Sequence, residues 1–427
     1  MGKFRSKIRR LIGKGGSDVP ESILENDRKV FAHYMVGLTS HQMVEQWSHD
    51  IKTAQEAGID GFALNIGPSD VWNEAQLANA YREAEAAGDF YLFLSFDMAA
   101  GSWTVEQVVN LINQYKESPA QMLVDGKPLV STFEGPDWAD NWGQVREQTE
   151  GIFLMPDWSS LGPYGLAEKL DIIDGAFSWD AWPKAGQFQM TANEDEVYKH
   201  CLPDKKYMMG VSPYFYTNLP QFNKNWYSSS ESLWYDRWQQ VIDVSPDFVQ
   251  IITWNDFGES SYICDTAPAQ VVEGAERYVN RCSHAAFRAV LPYFIAAYKA
   301  GTREVEIPVP DTAIAWYRTT PASAGLESGT TWGQGGTLPA SNGARDVISV
   351  LALCKVPSTV TVAIAGRWAT FDTRPNVAVS YFEMPFDSKI SGAVTIAMNG
   401  LTTEGPPIVN EPTTQDEIHF NSVVIQV

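Results

Sequence analysis

Apolar, β-branched runs alternate with amphipathic stretches from Val30 to about residue 300. Val30–Gly37 reads as a buried strand ending in a turn. Met43, Trp47, Ile51 and Ala54 then recur at helical spacing behind a Thr39/Gln42 capping box. The unit repeats with a strand over Gly61–Gly67 and a helix through Leu77, Ala80, Tyr81 and Ala84. It repeats again with a strand over Tyr91–Asp97 and a helix capped by Thr104 and Gln107 that carries Val105, Val108, Val109 and Ile112. Further strands are predicted over 129–134, 152–157, 175–180, 207–214 and 248–256. Leu233, Trp234, Trp238, Val241 and Ile242 mark one late helix, and Phe287, Val290, Leu291, Phe294 and Tyr298 mark the closing one.

Eight such units over about 270 residues predict an α/β fold of the (β/α)8 TIM-type barrel class, with a doubly wound open sheet as the rival. The polar positions favour the barrel. His33, Asn65, Asp97, Glu134, Asp157, Asp180, Ser212 and Asp256 all fall at or near the carboxyl ends of their strands. In a barrel those ends converge on the face that carries active sites.

From about Glu304 the pattern shifts to short β-rich runs broken by Gly, Pro, Ser and Asn, such as 347–353, 360–364, 377–382 and 423–427. That is the signature of an antiparallel β-sandwich. The expected division is a basic tail over 1–27, a barrel over 28–302 and a sandwich over 303–427. Apart from Trp316, Trp332 and Trp368 the last part offers few exposed-looking aromatics, so it reads as a buttress more than as a binding module.

The formal charge of -21 argues against a nucleic-acid partner, whose phosphates need basic residues, and suits a neutral polymer. The 15 Trp, 17 Tyr and 20 Phe suit stacking on sugar rings, although most must be core. Cys201, Cys264, Cys282 and Cys354 have no metal-ligand spacing. Cys264 with Cys282 is a candidate disulfide in an oxidising compartment, the alternative being free buried thiols. With six histidines and no Walker A loop, GxSxG elbow, HExxH or suitably placed GxGxxG, no metal site and no cofactor are expected. No run approaches the ~20 apolar residues of a membrane span. The amino terminus is basic and lacks a secretory apolar core. It reads as a mobile tail, with weak membrane association as a second reading, because Met1-Gly2 and Ser6 fit a loose myristoylation pattern beside Lys3, Arg5, Lys7, Arg9 and Arg10.

The candidate chemistry centres on Ile251-Ile252-Thr253-Trp254-Asn255-Asp256-Phe257-Gly258-Glu259-Ser260. Cleaving a glycosidic bond usually takes two carboxyl groups, and Asp256 and Glu259 are candidates for the pair. Three residues apart, they lie on opposite faces of a straight strand but on one face of a turn, so the bend at Gly258 matters. The alternative is a pair of solvated loop acids. His33 and Asn65 are candidates to hydrogen-bond sugar hydroxyls, and Asp97 to contact sugar or tune a catalytic pKa. Each has a plain structural alternative as a core histidine, a cap or a turn residue. Trp158, Trp179 and Asp180 set rings beside carboxylates in predicted loops, as sugar platforms or as packing. Tyr34, Tyr214, Trp254 and Asn255 complete the candidate substrate-binding set.

Residues 32–37, 58–67, Ser95-Phe96-Asp97-Met98 and Thr253–Ser260 together resemble glycoside hydrolase family 71, the fungal α-1,3-glucanases or mutanases. The resemblance spans roughly 28–300 in ordered blocks. It implies endo-hydrolysis of α-1,3-glucan with inversion, by a barrel bearing a sandwich, with Asp256 and Glu259 as the carboxylates. On that reading Glu259 is the general acid and Asp256 the general base acting through water, the exchanged roles being the alternative. Many relatives carry a secretion signal that this chain lacks as written. Action inside a fungal cell or on a spore wall is one expectation, and a non-native start the other. Two other readings stay open: a barrel glycosidase of another α-linkage, such as an endo-α-mannosidase, and a catalytically silent glucan-binding protein.

Overall fold

A computed structural model describes residues 28–414 and 417–427. The expectations placed on the basic tail lie outside the described residues. Strands β1 (Lys29–Met35), β2 (Gly61–Ile66), β3 (Tyr91–Asp97), β4 (Leu123–Val124), β5 (Lys127–Phe133), β6 (Phe153–Leu154), β7 (Gly175–Ser178) and β8 (Lys206–Val211) come first. β9 (Tyr216–Leu219), β10 (Lys224–Tyr227) and β11 (Phe248–Ile251) follow. All but β9 and β10 form one curled, mainly parallel sheet in the order β4-β5-β3-β2-β1-β11-β8-β7, with β6 on β5. Just past β6, Asp157 bridges in parallel to Phe133 on one side and to Phe177 of β7 on the other.

Side chains alternate across each strand, and both faces are covered, as a parallel sheet requires. On one face Phe31, Ala63, Phe93, Leu129, Phe153, Phe177, Met208 and Phe248 make a cluster fed by every long parallel strand. On the other, Val30, Ala32, Phe62, Leu64, Leu92 and Leu94 pack against helix residues such as Trp47, Ile51, Leu77 and Ala80. Those belong to the helices Val44–Glu56 and Asn73–Ala87.

The Thr104/Gln107 capping box forms, with Gln107 N–H donating to Thr104 Oγ1 at 3.2 Å and Thr104 N–H to Gln107 Oε1 at 2.9 Å. The Thr39/Gln42 box does not. A 3-10 turn over Val36–Leu38 intervenes, Thr39 Oγ1 donates to Val36 O, and the helix starts later, behind Met43. The four late strands stop two to five residues before their expected ends, because the chain leaves the sheet there to build loops.

From Thr312 the architecture is antiparallel. The strands are β12 (Thr312–Arg318), β13 (Thr331–Trp332), β14 (Val347–Leu353), β15 (Thr359–Ile364) and β16 (Arg367–Asp372). β17 (Val379–Pro385), β18 (Gly392–Met398), β19 (Leu401–Ile408) and β20 (Ser422–Gln426) complete them. Two four-stranded sheets, β17-β14-β12-β20 and β16-β15-β18-β19, form a sandwich. Ala313, Ala315, Ile348 and Val350 face Val360, Val362, Val394 and Ile396 between them.

Burial separates the two sheets. β12 and β14 are buried at every residue, whereas β15 alternates, so among the described residues only the first sheet is covered on both sides. Its second cover is the α/β part. Trp316 donates Nε1–H to Ser230 O at 3.3 Å and packs on Phe287, while Tyr381 stacks on Tyr235 at 5.2 Å. Trp332 is buried too, and Trp368 is 70% exposed. A third, small sheet joins the halves, in which β13 runs parallel to β10 and β10 pairs antiparallel with β9. All four cysteines are free and buried.

Candidate active site

Where β11 ends, residues 253–260 turn across the carboxyl ends of the sheet. Trp254 N–H donates to His33 O at 2.8 Å. Asn255 clamps β1 by accepting from Met35 N–H at 2.8 Å and donating to Met35 O at 3.2 Å. Inside the turn, Asp256 N–H donates to Thr253 Oγ1 at 2.8 Å, and Asp256 Oδ1 accepts from Glu259 N–H at 3.0 Å. A turn with these internal bonds puts the two acids on the same side.

They face a cavity of about 930 Å³ whose wall also includes His33, Asn65, Asp97, Glu134, Trp179, Asp180, Lys224, Trp226 and Gln334. That size is at the upper end of small-molecule sites. Six of the eight polar strand ends reach the cavity, while Asp157 and Ser212 are fully buried beside it.

Electrostatics distinguishes the two acids. Burial pushes Asp256 up to about 7, the Glu259 charge adds to it, and Lys224 and backbone N–H groups oppose it. Glu259 instead meets the Lys224 ammonium, Nζ to Oε1 at 2.6 Å. Burial works against the Lys224 charge, but Glu259, Asp256 and Asp97 outweigh it and hold its pKa above the ordinary lysine value. Burial also raises Asp97 and Asp180. It pulls His33 down to about 3, so the ring is neutral. His33 Nδ1 accepts from Gln250 Nε2 at 3.0 Å, which leaves Nε2 as the protonated nitrogen, and the ring stands edge-on to Trp179 at 4.8 Å.

Of the substrate-binding candidates, His33, Asn65, Asp97, Trp179 and Asp180 line this cavity. Tyr34, Trp158, Tyr214, Trp254 and Asn255 do not, and all five are buried. Strand alternation sends Tyr34 to the face opposite His33, where its hydroxyl donates to Asp50 Oδ2 at 2.7 Å and its ring stacks on Trp47. Trp158 and Trp254 pack in the same outer core. Tyr214 donates its hydroxyl to Phe420 O at 2.7 Å, tying the two halves of the chain together. Asn255 spends its amide on Met35 and Gln270.

Lys224, Trp226 and Gln334 line the site and were not anticipated. Two four-residue β-prone runs around the Pro220–Asn223 turn signalled the hairpin that carries the first two. Among the described residues no group of three or more His, Cys, Asp or Glu side chains is placed to hold a metal ion.

The family model described as glycosyl hydrolase family 71 matches residues 26–427. The chain belongs to glycosyl hydrolase family 71. A family 71 assignment fits its relatives. The chain is 36% identical over 403 residues to "Glucan endo-1,3-alpha-glucosidase agn1" of Schizosaccharomyces pombe, covering 90% of this chain and 92% of the relative. It is 37% identical over 354 residues to "Mutanase Pc12g07500" of Penicillium rubens, covering 79% and 75%. It is 30% identical over 367 residues to "Ascus wall endo-1,3-alpha-glucanase" of S. pombe, covering 80% and 82%. Among solved structures, a GH99 endo-alpha-mannosidase from Bacteroides thetaiotaomicron superposes with a TM-score of 0.51 at 12% identity, over 65% of this chain and 99% of that one. At that identity the likeness shows the fold of this family 71 chain and nothing of its substrate.

Proposed function

We propose that this chain is an endo-acting hydrolase of α-1,3-glucosidic linkages that uses Asp256 and Glu259. The carrying observation is the pair itself. A half-buried carboxyl whose pKa is pushed up to about 7 and an ion-paired carboxylate share one turn on the wall of a large cavity. One carboxyl held protonated by burial beside one paired with an ammonium divide naturally into an acid and a base. The names of the relatives in S. pombe and P. rubens supply the linkage.

This electrostatics favours the exchanged roles. Asp256, the protonated member, is the general acid: it gives its proton to the glycosidic oxygen as the bond to the anomeric carbon breaks. Glu259 is the general base: it takes a proton from a water whose oxygen bonds that carbon from the opposite face, so the product is inverted. Trp179 offers a ring face to the sugar, and His33 Nε2–H, Asn65, Asp97 and Asp180 offer hydrogen bonds to its hydroxyls.

We read the curled sheet as a closed (β/α)8 barrel over 28–302 with a sandwich over 303–427. The Asp157 bridges and the cluster drawn from every long parallel strand support it.

Product analysis on insoluble α-1,3-glucan, with α-1,4-glucan, β-1,3-glucan and α-mannan in parallel, tests the linkage. Oligosaccharides are expected from α-1,3-glucan alone, first formed as the β-anomer. Release from α-mannan would move the reading to an endo-α-mannosidase. Retention on α-1,3-glucan with no cleavage of any polymer would leave a glucan-binding protein.

The pH profile follows from the acid. Rising pH removes the proton that Asp256 must donate, so kcat/KM falls as pH passes about 7. Lys224→Met deletes a positive charge that holds the Asp256 pKa down. Its alkaline limb is therefore expected at higher pH than that of the wild type. A profile whose alkaline limb does not move would remove Lys224 from this role.

A further inference from the structure

The catalytic cavity does not end at Lys224. A second hollow of about 460 Å³ adjoins it, lined by Pro220, Asn223, Asn225, Thr331, Gly335 and Gly336, and sharing Lys224, Trp226 and Gln334 with the first. Two cavities with three common wall residues form one trough leading away from the carboxylate pair.

One wall of the trough is the β9–β10 hairpin and the other is the segment after β13. Trp226 pairs with Thr331, and Gly333 N–H donates to Tyr227 O at 2.7 Å. The Gly-rich turn is tight for a reason. A Cβ on Gly333 would lie 2.5 Å from the Ala185 backbone, and one on Gly336 would lie 2.2 Å from Trp332 O. Ala185 lines the catalytic cavity, so this close approach seats the second wall directly against the first site. Trp226 is half-buried and held flat, stacked on Phe215 at 5.5 Å and 11°, with Trp182 behind Phe215 at 4.8 Å.

The chemistry changes along the trough. The catalytic end carries Asp97, Glu134, Asp180, Asp256 and Glu259, whereas among the described residues the outer hollow has no carboxylate and offers a ring face with the amides of Asn223 and Gln334. The charge in its wall, the Lys224 ammonium, is already paired with Glu259, so a flat ring edged by neutral amides suits an uncharged sugar.

We infer that the outer hollow is a remote sugar-binding subsite, which holds residues of the polysaccharide away from the bond being cut, with Trp226 as its ring platform. The inference rests on the hydrolase reading above. It makes the region after β12 a contributor to substrate binding, through residues 331–336.

The test compares KM on α-1,3-glucan chains long enough to enter the hollow with KM on the shortest α-1,3-oligosaccharide that the wild type cuts. In Trp226→Ala the ratio of long-chain to short-chain KM is expected to rise about 3- to 10-fold, the size of one aromatic stacking contact. Trp226→Phe should restore most of it. Asn223→Gly, at a position whose φ of 55° suits glycine and which lines only the outer hollow, should raise the ratio less. If the wild type cuts both substrates and neither variant changes the ratio, the subsite is refuted while the hydrolase reading stands. A fall in kcat on both substrates alike, with the KM ratio unchanged, would show Trp226 acting on the bond being cut and not on distant sugar residues, and would also refute it. A wild type that cuts no α-1,3-glucan refutes both.

Discussion

Asp256→Asn is expected to lower turnover of α-1,3-glucan by about 10²- to 10⁴-fold, the range supplied by a positioned general acid, with the protein still folded. An amide keeps the shape of the side chain and still accepts Glu259 N–H, but has no proton to give the leaving oxygen. The loss should therefore shrink on an α-1,3-oligosaccharide whose leaving group is a dinitrophenolate, which departs without a proton. Glu259→Gln, lacking the base, should lose turnover on both substrates. Steady-state kinetics of the two variants on the two substrates assigns the roles. If Glu259→Gln is the variant rescued by the activated leaving group, then Glu259 is the acid and the assignment reverses.

The largest stability effect is expected behind the site. Arg237 is fully buried and meets Asp195 through two contacts, Nη1 to Oδ2 at 2.7 Å and Nη2 to Oδ1 at 3.1 Å. It also donates to Gly210 O at 2.8 Å and to Asp180 O at 3.0 Å. Asp195→Ala strands that guanidinium away from water, so chemical denaturation should show a loss of about 3–5 kcal/mol. That is a large share of the ~5–15 kcal/mol stability typical of a domain. The double variant Arg237→Met, Asp195→Leu removes both charges and should recover most of the loss. If the double variant were no more stable than the single one, uncompensated charge would not be the cause. Because Arg237 grips carbonyls in β8 and in the loop carrying Asp180, Asp195→Ala should also weaken substrate binding.

The residues explain which parts were legible beforehand. Strand–helix alternation follows from local periodicity, and the Asp256/Glu259 pair sits within one turn, so both could be read along the chain. Tyr34 shows information that was present and unused. Alternation cannot send both His33 and Tyr34 to one face, and the choice of His33 already excluded its neighbour. Trp158, next to the cavity-lining Ser159, and Trp254 both find their places in the outer core. The hairpin that carries Lys224 and Trp226 had a local signal, but its placement at the site, and that of Gln334, was beyond local reading. Glu259 meets a lysine 35 positions earlier, and the strand carrying Trp226 pairs with one about a hundred residues later. Contacts at such separations leave no periodic trace. The Thr39/Gln42 box had the right residues in the wrong place, because Thr39 closes the 3-10 turn over Val36–Leu38 and the helix begins only after Met43.

The pairing of β10 with β13 joins stretches about a hundred residues apart, which leave a ribosome at different times. As a ribosome releases the chain, both carboxylates and the whole parallel sheet emerge well before residue 331 does. Until that strand arrives, the hairpin bearing Lys224 lacks its partner, and the partner of Glu259 has only one side of its support. A nascent chain is thus expected to hold Asp256 and Glu259 before the second wall of the adjoining trough can form.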